Sequence, residues 1–296
     1  ASFSAKFDII IERIDLYLNK FKIKTINNIM EKSKRINYKE WMEESNYCII
    51  RRLIEKNKIE EIKGRVQEKM DKYEFEDGNN PYVTNKKRES YSLYSNQLEH
   101  YRQAGAPEEY IKEVELKYEE IYNEIIMLFE DEFKSLFYLL RIPYWRIIGV
   151  TLMRIYEGSP EQEIHHDAPD GMKRIFITIP LSRTSKEMGP TIFYDEKEIK
   201  EYRGVKQSKK IPELPKGSFE IKIPEKSSGY GNIGFLKDMK EPWKEKFNKG
   251  RVQYELEKGD VTIHRDITYH NGGENKTKKT REFLFIVCDY TDKLRR

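Results

Sequence analysis

Apolar positions recur every three or four residues in the first half of the chain and in short, dense runs in the second. Phe7, Ile10, Ile11, Ile14, Leu18 and Phe21 line up as one stripe across 7–23, the spacing that places side chains on one helical face. A second stripe, Tyr110, Val114, Tyr118, Ile121, Ile125 and Phe129, follows Ala106-Pro107-Glu108-Glu109. Proline suits the first turn of a helix, and acids there complement the positive end of its dipole. On this pattern residues 1–140 read as helical, broken by a loop at 77–86, where Gly78, Asn79, Asn80 and Pro81 fall together.

From Trp145 the pattern changes to short runs rich in β-branched and aromatic residues: 145–156, 172–181, 191–194, 218–223, 251–257, 260–264 and 281–290. Gly189-Pro190 and Gly259-Asp260 are turn signals placed just before two of them. Many short strands without helices between them point to an antiparallel sandwich or jelly roll, not a doubly wound sheet. The expected class is therefore α+β, with a helical region over 1–144, a β core over 145–296 and an insertion at about 195–250. Pro143 marks the junction.

Composition changes this picture little. With 20 Tyr, 14 Phe and 3 Trp the chain has the aromatic content of a folded interior, so its high charge describes a surface. Lys and Arg number 55 against 51 Asp and Glu, too small an excess to call for nucleic acid or a membrane as partner. Cys48 and Cys288 lie far apart, which is no disulfide framework and fits a reducing compartment. No signal-like apolar segment opens the sequence, and no run approaches the ~18 residues of a membrane span. A cytoplasmic protein is expected.

The candidate chemistry lies in His165-His166-Asp167, ahead of the run 172–181. In extended backbone, alternate side chains share a face, so His165 and Asp167 stand together and His166 points outward. An imidazole beside a carboxylate forms two legs of the two-His, one-carboxylate triad of non-haem Fe(II) oxygenases, which leaves positions open for cosubstrate and oxygen. The third leg must come from His100, His264 or His270. His100 falls in a polar helical stretch, and His264 reads as a cavity or packing residue. His270 is favoured by Arg281, at the start of the last apolar run. A cation on a strand entering a barrel needs an anion, and a carboxylate bound bidentately would be one.

The run 256–281 resembles the C-terminal motif of the phytanoyl-CoA dioxygenase family: a Gly-Asp turn, a strand, the distal iron histidine, Gly-x-Asn-x-Thr/Ser and an arginine. This chain supplies Gly259-Asp260, His270, Gly273, Asn275, Thr277 and Arg281, while His165 and Asp167 match the family's His-x-Asp. The resemblance covers 145–290. It implies a double-stranded β-helix (cupin-like jelly roll), iron on His165, Asp167 and His270, and 2-oxoglutarate on Arg281, with O2 as the other cosubstrate. Thr178 and Arg154 are further candidates for the cosubstrate pocket. Phe193-Tyr194-Asp195 replaces the family's Pro-Gly-Ser/Thr-His segment, and the insertion separates the two iron histidines. The family's CoA-ester substrate is therefore not carried over.

The implied reaction is oxidation of a C–H bond of a small-molecule metabolite, by hydroxylation, desaturation or cyclisation, with release of succinate and CO2. Asp167 fills the position that a halogenase leaves open for chloride. The alternatives are an oxygenase acting on protein or nucleic acid, and a non-catalytic cupin-like binding protein. Lys206, Lys209, Lys210 and Lys216 read as a solvated loop, with a clamp for an anionic substrate as the sharper alternative.

Overall fold

The computed structural model describes residues 46–73, 87–96, 98–162, 164–167, 173–194, 245 and 250–291. The helical stripe at 7–23, the loop at 77–86, the run 218–223 and the basic stretch lie outside them.

Strand β1 (Tyr47–Ile50) is followed by helix α1 (Lys56–Lys72), β2 (Arg88–Ser95), α2 (Glu99–Gln103), α3 (Glu108–Glu124), a 3-10 turn at Ile126–Phe129 and α4 (Glu130–Leu139). Then come β3 (Tyr144–Ile155), β4 (Arg174–Pro180), β5 (Thr191–Phe193), β6 (Val252–Gln253), β7 (Val261–Arg265), β8 (His270–Gly272) and β9 (Arg281–Thr291). They make a six-stranded sheet in the order β1-β7-β4-β9-β3-β2 and a three-stranded sheet in the order β6-β5-β8, with every pairing antiparallel.

The reading of 1–140 as helical is corrected at two places. Residues 47–50 and 88–95 are strands, and they form the two edges of the larger sheet. Their local pattern carries a signal: Tyr47-Cys48-Ile49-Ile50 is aromatic and β-branched, and Tyr91 and Leu93 stand on alternate positions. What makes them strands is pairing with β7 and β3, far away in sequence. The run 251–257 is shorter than expected, reduced to Val252–Gln253.

One face of the six-stranded sheet packs against the helices. Ile175, Ile177 and Ile179 of β4 and Leu284, Ile286 and Cys288 of β9 meet Ile59, Ile62 and Val66 of α1 and Phe133, Leu136 and Phe137 of α4 in a single apolar cluster. Each such side chain, fully buried, contributes roughly 1.5–3 kcal/mol. Trp145 closes one end, its ring stacked on Phe137 at 4.5 Å. In α3 the buried stripe is Ile111, Val114, Tyr118 and Ile121, whereas Tyr110 is exposed.

Two glycines hold turns that no other residue would fit. Gly259 has φ 89°, and a Cβ there would lie 2.0 Å from the Ile54 carbonyl oxygen. It turns the chain so that buried Asp260 accepts hydrogen bonds from the Arg52 and Glu257 backbone N–H groups and from Arg51 Nη1. Gly189, with φ 66°, presses against Gly273, where a Cβ would come within 2.4 Å of its carbonyl oxygen. The first turn starts β7 and the second starts β5, the strands on either side of the candidate site.

Candidate metal centre

The face of the large sheet turned away from the helices is buried but polar. Directly opposed residues in an antiparallel pair share a face. Thr178 therefore stands beside Thr262 of β7 and Phe285 of β9, while Phe176 stands beside His264. Arg281 lies two residues before Phe283 and four before Phe285, on the same side.

His165 and His270 are tied together through their backbones. His165 N–H donates to the His270 carbonyl at 2.9 Å and His270 N–H donates back at 3.0 Å, an isolated bridge between the loop after β3 and strand β8. Their rings lie 4.7 Å apart. His270 Nδ1 is 3.0 Å from the Thr268 carbonyl, to which it donates its proton, leaving a lone pair on Nε2. That nitrogen is 3.2 Å from Asp167 Oδ2, and His165 Nε2 is 3.6 Å from Asp167 Oδ1. One donor atom from each of His165, Asp167 and His270 falls within 4.8 Å of the others. Two imidazole nitrogens and a carboxylate oxygen, nearly buried, suit a divalent transition metal such as Fe(II).

The electrostatics fit that set. Burial raises the Asp167 pKa, but the charge of His270 and hydrogen bonds from His264 and His270 outweigh it and hold the carboxyl well below its usual range. Burial opposes charge on His270, and Asp167 more than restores it, so its pKa is raised. His264, expected as a cavity or packing residue, is buried with Nε2 2.9 Å from Asp167 Oδ2. Burial, then repulsion from His270, pushes its pKa down to about 4. His166 does point away from this group, but it is buried edge-on against Tyr269, not exposed as expected. The side chain of His100 lies outside the described residues.

Arg281 is 3 % exposed, and its Nε and Nη1 have no hydrogen-bond partner among the described residues. The turn that delivers it is locked by Asn275. Its side-chain amide donates to the Ile155 and Lys279 carbonyls, and its Oδ1 accepts from the backbone and hydroxyl of Thr277. That is the physical work of the Gly-x-Asn-x-Thr segment: it fixes β9 to β3 with Arg281 opposite Ile155.

A second guanidinium was not foreseen. Arg88 pairs with Ile155 from the other side, so Arg88, Ile155 and Arg281 form one row across three strands on one face. Arg88 is buried and donates to the carbonyls of Pro160, Gly272 and Gly273. Burial and then the charge of Arg88 push the Arg281 pKa down to about 9. Among the described residues no carboxylate forms an ion pair with either arginine. Glu161 offsets part of the Arg88 charge, and Arg281, beside a second buried cation, makes a strong site for an anion.

Arg154 is placed elsewhere. It pairs with Glu282 across the strands, its Nε 2.9 Å from Glu282 Oε1 and its Nη2 3.2 Å from Gln67 of α1. Strand alternation puts it on the helix-covered side, because Arg281 is one residue removed from its partner Glu282. Tyr156 bonds Glu89 and likewise stays outside the group.

Residues 172–283 match the family model described as phytanoyl-CoA dioxygenase. Over that segment the chain is similar to the phytanoyl-CoA dioxygenase family. Among curated proteins, none matches it by sequence. The fold of the chain is similar to that of the epimerase SnoN in complex with Fe3+, alpha ketoglutarate and nogalamycin RO. The TM-score is 0.54 at 13% identity, over 88% of this chain and 84% of that one. A second SnoN structure, described as a non-heme alpha ketoglutarate dependent epimerase from nogalamycin biosynthesis, gives 0.52 at 14% identity, over 88% and 81%. Among the described residues, no helix is long and apolar enough to cross a membrane.

Proposed function

We propose that the chain oxidises a C–H bond of a small-molecule metabolite with Fe(II), 2-oxoglutarate and O2, releasing succinate and CO2. His165, Asp167 and His270 hold the metal, and Arg281 receives the distal carboxylate of 2-oxoglutarate. The observation that carries this reading is the pairing of a buried His-Asp-His group with the buried Arg281 guanidinium, whose Nε and Nη1 have no partner among the described residues.

The residues fit both groups. His165, Asp167 and His270 would hold the metal through three donor atoms and leave room beside it for a 2-oxo acid. Arg281 Nε and Nη1 lack hydrogen-bond partners among the described residues, and a guanidinium can bind a carboxylate bidentately. Thr178 and Thr262 stand on the same face, and the buried Thr262 hydroxyl has no partner among the described residues. Arg88 adds a second positive charge and ties the loop at Pro160 to β8. Iron and 2-oxoglutarate together supply the oxidant that removes hydrogen from the substrate. The protein holds the carboxylate, orients the ligands and keeps water out.

We read the two sheets as a double-stranded β-helix core, carried by the N-terminal helical region. A small-molecule substrate is favoured by the recessed site, with Phe176, Phe193 and Phe285 around the histidines. The SnoN complex with nogalamycin RO supports the same class.

Anaerobic addition of Fe(II) and then 2-oxoglutarate to the metal-free protein tests the reading. The expected result is a visible metal-to-ligand charge-transfer band, absent in His270→Ala and displaced to higher 2-oxoglutarate concentration in Arg281→Ala. Folded protein that gives no band would sink the proposal.

A further inference from the structure

His264 occupies a position built for a phenyl ring. It lies mid-sheet on β7, between Tyr47 of β1 and Phe176 of β4. Its ring stacks on Phe176 at 5.2 Å with 14° between planes, and Phe193 lies 5.8 Å away. It is 1 % exposed. An imidazole in such surroundings loses free energy relative to an apolar ring unless its nitrogens are used. Nδ1 has no partner among the described residues, and Nε2 has Asp167 Oδ2 at 2.9 Å. A carboxylate only accepts, so the proton sits on Nε2 and is donated to Asp167. That nitrogen therefore has no lone pair for a metal. His264 lies beside the group, its ring 4.3 Å from that of His270, but is not among the three residues whose donor atoms all fall within 4.8 Å of one another.

We infer that His264 is a positioning residue for Asp167. Its Nε2–H holds Oδ2 and fixes the carboxylate plane, so that the carboxylate is offered to the metal through a single oxygen between His165 and His270. Without this bond Asp167 would be free to rotate or to chelate through both oxygens, which would consume a coordination position needed by cosubstrate or oxygen. The inference rests on the reading of His165, Asp167 and His270 as metal ligands and adds a fourth residue that acts through one of them. Partners of this kind typically change metal affinity by roughly 10- to 100-fold.

The test is Co(II) titration of the full metal-free chain, read by its visible d–d absorption, in wild type, His264→Phe and His264→Gln. Phenylalanine keeps the stacking and removes the donor, whereas the glutamine amide can present an N–H to the same oxygen. The expected result is Co(II) affinity about 10- to 100-fold weaker in His264→Phe, with an altered d–d spectrum. His264→Gln should return both affinity and spectrum towards wild type. His264→Phe binding Co(II) as wild type does, with an unchanged spectrum, overturns the inference while leaving the metal site intact. So does His264→Gln as weak as His264→Phe in equally folded protein, because a lost ligand and not a lost hydrogen bond would then be the cause. Wild-type protein that fails to bind Co(II) or Fe(II) overturns the triad and the inference with it.

Discussion

The two faces of the six-stranded sheet are made by the same strands and do opposite work. On β4, Ile175, Ile177 and Ile179 enter the helix-packed core, while Phe176 and Thr178 face the site. On β9, Leu284, Ile286 and Cys288 go to the core, while Arg281, Phe283 and Phe285 take the other side. The site face is buried along β4 and half-buried at Phe283 and Phe285 of β9, so neither strand shows a simple alternation of apolar and polar residues. The core face is filled with aliphatic and aromatic groups that need only one another. The site face carries Arg281, Thr262 and His264, each with a buried polar atom lacking a partner among the described residues. Unsatisfied polar groups cost stability, and here they collect where a metal and an anion would satisfy them. One side of each strand stabilises the fold; the other holds binding capacity at some cost to it.

That contrast can be broken by experiment. The largest stability effect is expected on the core face. Phe133 is fully buried against Phe129 and Trp145, and Phe133→Ala should lower unfolding free energy by about 3–5 kcal/mol. Denaturant unfolding would measure it, and Fe(II) affinity of the remaining folded protein should not change. A parallel loss of affinity would show that the two faces are not separable.

On the site face the order reverses. Arg281→Leu should weaken 2-oxoglutarate binding by about 2–5 kcal/mol, read from the anaerobic charge-transfer titration. Thermal stability without 2-oxoglutarate should be unchanged or higher, because a buried cation without an ion-pair partner is removed. A marked drop in melting temperature would mean that Arg281 is structural.

A smaller effect follows from His264 in metal-free protein. Its folded pKa is about 4 against an ordinary value of 6.5. Between those values the unfolded chain takes up a proton here that the folded chain does not, so the contribution of neutral His264 is lost as pH falls from 6.5 towards 4. The difference in stability between wild type and His264→Gln should therefore shift against wild type on acidification through that window. A pH-independent difference would refute the assignment. Least of all should be seen in Arg154→Ala. Its pair with Glu282 is partly solvated, so the loss is expected at up to about 1 kcal/mol, with no change in 2-oxoglutarate binding.

The grouping of His165 with Asp167 was legible in the sequence because extended backbone alternates: the two share a face whatever the rest of the chain does. Arg281 was legible as a cation where an apolar strand begins, and the Gly-x-Asn-x-Thr turn before it has a local hydrogen-bond logic that a short segment can encode. Arg154 was a candidate through the resemblance alone, and its facing depends on register with β9 and not on residue type. Arg88 went unnoticed for a related reason. It lies in a charged stretch read as helical, and only pairing of β2 with β3 brings it into the row with Arg281.

By itself, then, the sequence singled out His165, Asp167, His270 and Arg281 as candidates and a turn-rich β segment to hold them, since both follow from local spacing, backbone alternation and turn geometry. The tertiary structure decided which face each strand presents to the helices, that β1 and β2 complete the sheet, that Arg88 stands near Arg281 and that His264 donates to Asp167. Those outcomes depend on strand register and long-range pairing, and no window of sequence contains both partners.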